Sequence, residues 1–283
     1  MRICIFNPEH DLCLAKGRAH YVPPRSAVDF ARRDAQAVMG VLYPDAVCCS
    51  VYDMPLLNSD RQYTKVVAWG WDAVVKHELI KRGVAAELLP SDETIGIIRE
   101  LQHRSTILPL QPDCHEVHSI GEMEALLQER EHWVMKAPWS GAGRGLRFVH
   151  GALTAIDRDW LLKTVEHQRC IIAETRRDVV ADVALEYMDG HFLGYSYFKT
   201  GSGVYKENIA WSDEKIESTF SLMSIRTHVE QWLDSNIWPR YCGPLGVDLM
   251  VCDDGSVHVA EINLRHTMGM VAHERLKVNG YRL

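Results

Sequence analysis

The chain has 283 residues, of which 47% are hydrophobic and 24% are charged, and its formal net charge is −7. This length suits roughly two domains. A mildly acidic chain argues against nonspecific nucleic-acid binding, because phosphate contacts need a clustered basic surface. No apolar run approaches the roughly 18 residues of a membrane span. We therefore expect no nucleic-acid or membrane partner.

The N-terminus, "MRICIFNPEHD", carries a short apolar segment that Asn, Pro and charged residues end at once. It predicts a first β-strand and not a signal peptide. The eight cysteines are scattered, with no C-x-x-C pair and no histidine partner at zinc-like spacing. We expect reduced thiols and a cytoplasmic location.

The first part of the chain alternates strand and helix signals. Strands are predicted at "RICIF", "AVCCSVY" and "KVVAWGW", and helices at "AVDFARRDAQAVMGVL" and after Asp72. "AAELLP" predicts a short strand, and a helix capped by Ser91 or Asp92 follows it. This alternation predicts an N-terminal α/β domain with a parallel or mixed sheet, which ends near Pro112 and spans 1–112.

The second part is antiparallel in style. Ser119 and Glu122 form an S-x-x-E capping box before a helix, and "HWVMKAPWSGAGRGLRFVH" reads as strand, glycine loop and strand. "LTAIDRDWLLKTVEHQ" predicts a helix, and "CIIAET" a strand. Asp189 and Gly190 predict a tight turn between two strands, and "SDEKIESTFSLMSIRTHVEQWLDSN" predicts one long helical stretch. The last two strands are joined by "DDG", which predicts a second hairpin. Because hairpins pair strands in antiparallel fashion, we expect an α+β domain after the α/β domain.

The glycine loop is "KAPWSGAGRG". Gly141, Gly143 and Gly145 let backbone N–H groups approach a phosphate without a Cβ in the way. Lys136 and Arg144 can place positive charge on the same anion. The loop lacks the G-K-[ST] of a Walker loop and the G-x-G-x-x-G of a dinucleotide fingerprint. The alternative is a flexible hairpin loop that happens to be basic.

The last two strands carry acidic and amide side chains. Asp248 lies in the middle of the apolar run "GVDLMV", where a lone carboxylate is costly to bury. Glu261 is thirteen positions later, so antiparallel pairing can bring the two carboxylates side by side, and Asn263 points to the same face as Glu261. These oxygens are ligands that Mg²⁺ takes, and Arg265 lies just beyond them. The alternative is a strand leaving the core with polar residues at its exit.

Together these motifs resemble the ATP-grasp superfamily, over about His118 to His273. The resemblance rests on "VMKAP", "SGAGRG", "IIAET", "GVDLMV" and "EINLR", which follow one another in the family order. It implies an ATP-grasp domain over 113–283, in which two subdomains with antiparallel sheets clamp ATP. The glycine loop belongs to the first subdomain, 113–175, and the metal ligands to the second, 176–283. The start of the chain, "FNPEHDLCLA", is similar to a group of bacterial ATP-grasp proteins.

The resemblance also assigns the nucleotide contacts. Lys136 would contact the phosphates, and the loop Ser140–Gly145 would close over them. Glu174 would meet the adenine, whose edge would be read by backbone groups around Thr175. Asp178 and Asp182 are both available for the ribose.

A second phosphate-binding lysine is usual in the family. No lysine stands between Lys81 and Lys136, so Arg104 would replace it.

By the same resemblance, Asp248, Glu261 and Asn263 would hold two Mg²⁺ ions, for which Mn²⁺ could substitute. Lys136 and Arg265 would neutralise charge while ATP phosphorylates a substrate carboxylate and an amine or similar nucleophile attacks the acyl phosphate. The implied function is thus an ATP-dependent carboxylate–amine ligase acting on small-molecule or peptide substrates. Two alternatives are a kinase that uses the same grasp and a nucleotide-binding module without turnover. The oligomeric state is left open.

Polar residues after the first and third strands suggest a substrate site. Asn7, Glu9 and Asp11 follow strand one, at the carboxyl end of the predicted sheet, where ligands commonly bind. Trp71, in "AWGWD", lies near the same edge. The alternative is that these residues only cap loops.

Overall fold

The computed structural model describes residues 1–54, 63–141, 145–201 and 204–279. The strands of this part form three sheets, of three, four and five strands. Among its helices, none is both long enough and apolar enough to cross a membrane.

The first sheet is parallel, which confirms the pairing predicted for the N-terminal part. β1 lies between β2 and β3 and pairs with both in the same direction. The predicted cap Asp72 accepts hydrogen bonds from the first backbone N–H groups of α3, and Ser91, not Asp92, caps α4. The elements are β1 (Arg2–Ile5), α1 (His10–Lys16), α2 (Arg25–Leu42), β2 (Val47–Cys49), β3 (Lys65–Ala68), α3 (Ala73–Lys81) and α4 (Asp92–Leu101).

Side chains alternate across this sheet, as β geometry requires. Ile3 and Ile5 pack on one face, against α3. Cys4 and Phe6 pack on the other face, with residues of α2. The buried, apolar character of "RICIF" on both faces is typical of a parallel strand covered by helices.

Two local predictions in this part are wrong. "AAELLP" contains a 3-10 helix, Ala86–Leu88, because the N–H groups of Leu88 and Leu89 bond back to carbonyls three residues earlier instead of to a strand. The residues expected in a polar loop after the first strand include helix α1, which ends at Gly17 with a positive φ of 59°.

The second sheet is antiparallel, with the order β4-β7-β5-β6. Its strand β4 was not predicted. Ser119 caps α5 as predicted, but the Glu122 carboxylate accepts from the backbone of His118 and not from that of Ser119. The elements are β4 (Cys114–Val117), α5 (Ile120–Glu129), β5 (His132–Lys136), β6 (Leu146–His150), α6 (Ala155–Gln168) and β7 (Ile171–Thr175).

The third sheet is also antiparallel, with the order β10-β9-β8-β11-β12. The predicted turn at Asp189 and Gly190 is present, with φ of 51° and 81°. Ile98 and Leu101 of α4 share a hydrophobic core with β8 and β11. The elements are β8 (Val179–Met188), β9 (His191–Gly201), β10 (Val204–Ile209), α7 (Asp213–Phe220), α8 (Met223–Asn236), β11 (Pro244–Cys252), β12 (Val257–Asn263) and α9 (Met268–Asn279).

The C-terminal part differs from the prediction in two helices. The expected long helix is broken into α7 and α8 at Ser221, whose φ is +54° and which therefore cannot continue a right-handed helix. Helix α9 was not predicted, and its Val271 packs with Ala35 and Met39 of α2. The C-terminal helix thus joins the hydrophobic cluster between α2 and the N-terminal sheet.

Candidate active site

A cavity of about 1270 Å³ lies between the second and third sheets and extends to the N-terminal part. Residues on one face of each sheet line it, while their strand neighbours, such as Val183 and Leu185, are packed in the core behind. The lining residues alternate along the strands: Val134 and Lys136 on β5, Leu146 and Phe148 on β6, Asp182, Ala184 and Glu186 on β8, and Ser196, Phe198 and Thr200 on β9.

The structure brings Asp248, Glu261 and Asn263 together on the cavity wall. Asp248 and Glu261 are direct partners in the β11–β12 pairing, as their spacing predicted. The Asn263 amide nitrogen donates to Asp248 at 3.2 Å. Burial, and then the nearby carboxylates of Glu261 and Glu186, raises the pKa of Asp248 well above its usual value. The wall therefore concentrates negative charge that a cation would stabilise.

Lys136 faces these residues from the other sheet. It ends β5, is 8% exposed, and its Nζ donates to the Glu174 carboxylate at 2.7 Å. Both residues line the cavity because β5 and β7 are neighbours in the sheet. Glu174 therefore fixes the position of the Lys136 ammonium group.

Arg104 connects the two sheets. Its guanidinium donates to the Ala137 carbonyl at 2.5 Å and to the Ser140 hydroxyl at 2.7 Å, and it also pairs with the Glu261 carboxylate. The side chain therefore lies between Ser140 of the glycine loop and Glu261 of the acidic wall.

Arg265 forms a two-point ion pair with Asp11. Its Nε and Nη2 lie 3.4 and 3.1 Å from the two oxygens of the Asp11 carboxylate. Burial alone would lower the pKa of the Arg265 guanidinium. The charge and hydrogen bonding of Asp11, followed by the charges of Glu261 and Asp248, outweigh burial and raise this pKa. The pair joins α1 to the end of β12, 254 residues away along the chain.

The described ends of the glycine loop lie at one side of the cavity. Ser140 and Gly141 line it, and the Gly145 carbonyl accepts from the backbone of Ala137 at 2.8 Å. A side chain at position 145 would collide with Ser140, so the close approach of the loop's two ends requires glycine there. Gly143 and Arg144 lie outside the described residues.

The other nucleotide candidates differ in position. Asp178 and Asp182 both line the cavity, so the choice between them stays open. Asp182 is half-buried and accepts from Thr200 at 2.7 Å, while Asp178 is exposed. The backbone of Thr175 bonds to Asp113, and its side chain does not line the cavity.

Of the four proposed substrate residues, the structure brings two to the cavity. Glu9 and Asp11 line it. Asn7 is buried in a network with the Gly70 carbonyl and Asp72, and Trp71 packs against the hydrophobic cores. Asn7 thus positions the strand ends instead of facing the cavity.

Sequence reasoning missed Glu186. This carboxylate is fully buried at the cavity wall and accepts from Ser196 at 2.8 Å and from Thr267 at 2.7 Å. Burial raises its pKa to about 7. Its signal was present, because "VALEYM" places one acidic residue in an apolar strand in the same way as "GVDLMV".

Trp69 of "AWGWD" lines the cavity together with Phe6 and Phe30, two aromatic residues that sequence reasoning missed. No sequence signal distinguishes them from ordinary core residues.

Comparisons with known proteins give a consistent fold. D-cycloserine synthetase DcsG superposes with a TM-score of 0.59 at 11% identity, over 99% of both chains. N5-carboxyaminoimidazole synthetase from Staphylococcus aureus, in complex with ADP, gives 0.52 at 13% identity, over 100% of this chain and 78% of that one. A RimK domain ATP-grasp protein from Sphaerobacter thermophilus gives 0.50 at 12% identity, over 97% of both chains.

The chain has the ATP-grasp fold, as its sequence predicted. No family model matches the sequence, and no curated protein matches it. At these low sequence identities the comparisons show a shared fold only. A shared fold does not transfer a substrate.

Proposed function

We propose that the protein is an ATP-dependent ligase that activates a carboxylate as an acyl phosphate and joins it to an amine or similar nucleophile. One observation supports the proposal. Lys136 and the start of the glycine loop, Ser140 and Gly141, line the same cavity as the acidic wall of Asp248, Glu261 and Asn263. Phosphoryl transfer needs such an arrangement, because its catalysis consists of positioning and charge neutralisation.

ATP would lie between the two antiparallel sheets. We assign Lys136 and the Ser140–Gly145 loop to its phosphates, and Glu174 with the backbone around Thr175 to its adenine. The subdomains 113–175 and 176–283 would then close on the nucleotide from opposite sides, with 1–112 as the N-terminal domain.

The acidic wall fits a divalent cation. Asp248 and Glu261 supply two adjacent carboxylates, and the Asn263 amide oxygen is a third hard donor. Burial first, and then the charges of Glu261 and Glu186, raises the pKa of Asp248, and a bound cation would favour its ionised form. We assign these three residues to Mg²⁺, with Mn²⁺ as a chemically similar substitute. When bound, the ions would neutralise the phosphate oxygens and align them for transfer.

Two arginines complete the proposed mechanism. Arg104 would take the place of a second phosphate-binding lysine, because it already lies between the Ser140 hydroxyl and Glu261. Arg265, held by Asp11, would neutralise the carboxylate that attacks the γ-phosphate of ATP and the acyl phosphate that forms from it. No protein nucleophile is needed in this scheme.

The test is ADP release in the presence of Mg²⁺ and ATP, measured against a panel of amino acids, dipeptides and small carboxylates. We expect release to depend on one carboxylate class and to yield free phosphate with the coupled product. Phosphate retained on the product would support a kinase instead, and binding of ATP without any turnover would support a nucleotide-binding module. Mg²⁺-ATP should also raise the melting temperature, whereas NAD should not.

A further inference from the structure

The cavity is larger than one ligand requires. Pockets for single ligands typically have volumes of about 300–1,000 Å³, whereas this one measures about 1270 Å³. Beyond the proposed nucleotide contacts, it continues to an N-terminal end, which we define by six lining residues: Phe6, Glu9, Leu12, Ala27, Phe30 and Trp69.

Aromatic rings form one side of the N-terminal end. Phe6 contacts Phe30 edge-to-face, with ring centroids 5.4 Å apart, and Trp69 in the same manner at 5.1 Å. Phe6 and Trp69 are 1% and 4% exposed, so they are fixed by the core, while Phe30 is 36% exposed. Such a wall favours an apolar group of a ligand, because contact removes apolar surface from water.

Glu9 adds a buried carboxyl group to this apolar end. It is 3% exposed, and its Oε2 is buried with no hydrogen-bond partner in the described part of the chain. Burial first, and then the charge of Asp72, raises the pKa of Glu9 to about 7. A buried carboxylate without a hydrogen-bond partner is costly, and a cationic group that binds to it would remove that cost.

No cationic side chain that lines the described cavity fills that role. Each of them is engaged with another partner: Arg104 with Glu261, Lys136 with Glu174, Arg176 with the ring of Phe148, Arg177 with Asp113, and Arg265 with Asp11.

We propose that the N-terminal end binds an amino acid with an apolar or aromatic side chain. Glu9 takes the ammonium group, the wall of Phe6, Phe30 and Trp69 takes the side chain, and the carboxylate faces Arg265. The proposal rests on the ligase function above, because this amino acid is the carboxylate that ATP activates.

The experiment uses the full chain with four probes. Phenylalanine and leucine carry both recognised groups, N-acetylphenylalanine lacks the ammonium group, and glutamate lacks the apolar side chain. Glu9→Gln removes the proposed ammonium partner, with Glu129→Gln on the exposed face of α5 as its matched control. Phe30→Ala removes part of the wall, with Leu162→Ala, 54% exposed on α6, as its control. ADP release, ATP affinity and calorimetric binding of phenylalanine are measured for each.

We expect phenylalanine or leucine to drive ADP release and the two comparison probes to give a kcat/KM at least about tenfold lower. Glu9→Gln and Phe30→Ala should each lower kcat/KM for the amino acid by about tenfold or more at unchanged ATP affinity. Equal use of N-acetylphenylalanine, or unchanged kinetics in both variants, would overturn the proposal and leave the ligase function standing.

Calorimetry separates the two proposals if no carboxylate drives ADP release. The ligase function then fails. Saturable binding of phenylalanine that Glu9→Gln weakens would uphold the amino-acid site, whereas absence of binding would overturn it as well.

Discussion

The two ends of the cavity differ in whether their charged side chains have partners of opposite charge among the described residues. At the proposed nucleotide end, Lys136 lies 2.7 Å from Glu174, and Arg104 pairs with Glu261. At the N-terminal end, which aromatic rings also line, Glu9 has a buried oxygen with no hydrogen-bond partner among the described residues. The acidic partners hold the cations of the nucleotide end in position to bind phosphates. The Glu9 carboxylate, in contrast, can bind a cationic group of a ligand.

This difference has an energetic consequence. In a buried ion pair each charge compensates the other. Removing one partner therefore leaves an uncompensated buried charge. An unpaired buried carboxylate lowers stability until a cation arrives. Substitutions at the nucleotide end should therefore impair binding and turnover, while neutralising the N-terminal end should stabilise the free protein.

The largest effect is expected for Glu261→Gln. The substitution keeps the shape and a hydrogen-bond acceptor for Arg104 but removes charge from the acidic wall. ADP release with the true substrate should fall by about a thousandfold or more, because charge neutralisation in the transition state is lost. ATP affinity should change only a few-fold. Turnover near the wild-type rate would mean that Glu261 is only a strand-end carboxylate, and Glu129→Gln serves as the control.

The second effect concerns ATP affinity. Lys136→Gln should weaken ATP binding by about thirtyfold or more, because it removes a buried, positioned ammonium group. Lys163→Gln should leave the affinity unchanged, since Lys163 is exposed on α6 and paired with Asp159. Calorimetric titration of both variants measures the difference, and equal affinities would refute the phosphate assignment.

The smallest effect is a gain in stability at the other end. The pKa of Glu9 is about 7 in the folded protein, against 4.5 ordinarily. Between these pH values the folded state keeps a proton that the unfolded chain releases, so the free energy of unfolding falls as pH rises through this window. Glu9→Gln removes that loss.

In urea unfolding, we expect Glu9→Gln to raise the free energy of unfolding at pH 8 by on the order of 1–2 kcal/mol and to change it little at pH 4. A lower stability of the variant at pH 8 would show that the carboxylate is compensated after all.

Whether a contact could be predicted from the sequence depends on how far apart its two residues are along the chain. The pairing of Asp248 with Glu261 was predictable, because a short turn fixes the register of two neighbouring strands. The pair of Asp11 with Arg265, 254 residues apart, depends on how α1 meets the end of β12, which no local pattern encodes. The apolar residues of helix α9 do not gather on one side of the helix, so its sequence carries no clear amphipathic pattern from which it could be predicted.

The same reasoning explains the errors at the N-terminal end. Polar residues after a strand predicted a ligand site, yet Asn7 turns inward to Asp72 while Glu9 lines the cavity. Which polar residue faces the ligand depends on the start of α1, and that helix was not predicted.

The central claim is that ATP activates a carboxylate as an acyl phosphate in this cavity. Its most direct test is a substrate whose carboxylate carries oxygen-18, incubated with the protein, Mg²⁺, ATP and an amine. Phosphorus NMR of the released phosphate should show one oxygen-18 atom for each coupled product, because amine attack on the acyl phosphate expels phosphate together with the carboxylate oxygen that bridged carbon and phosphorus. Product formation with unlabelled phosphate would contradict the account.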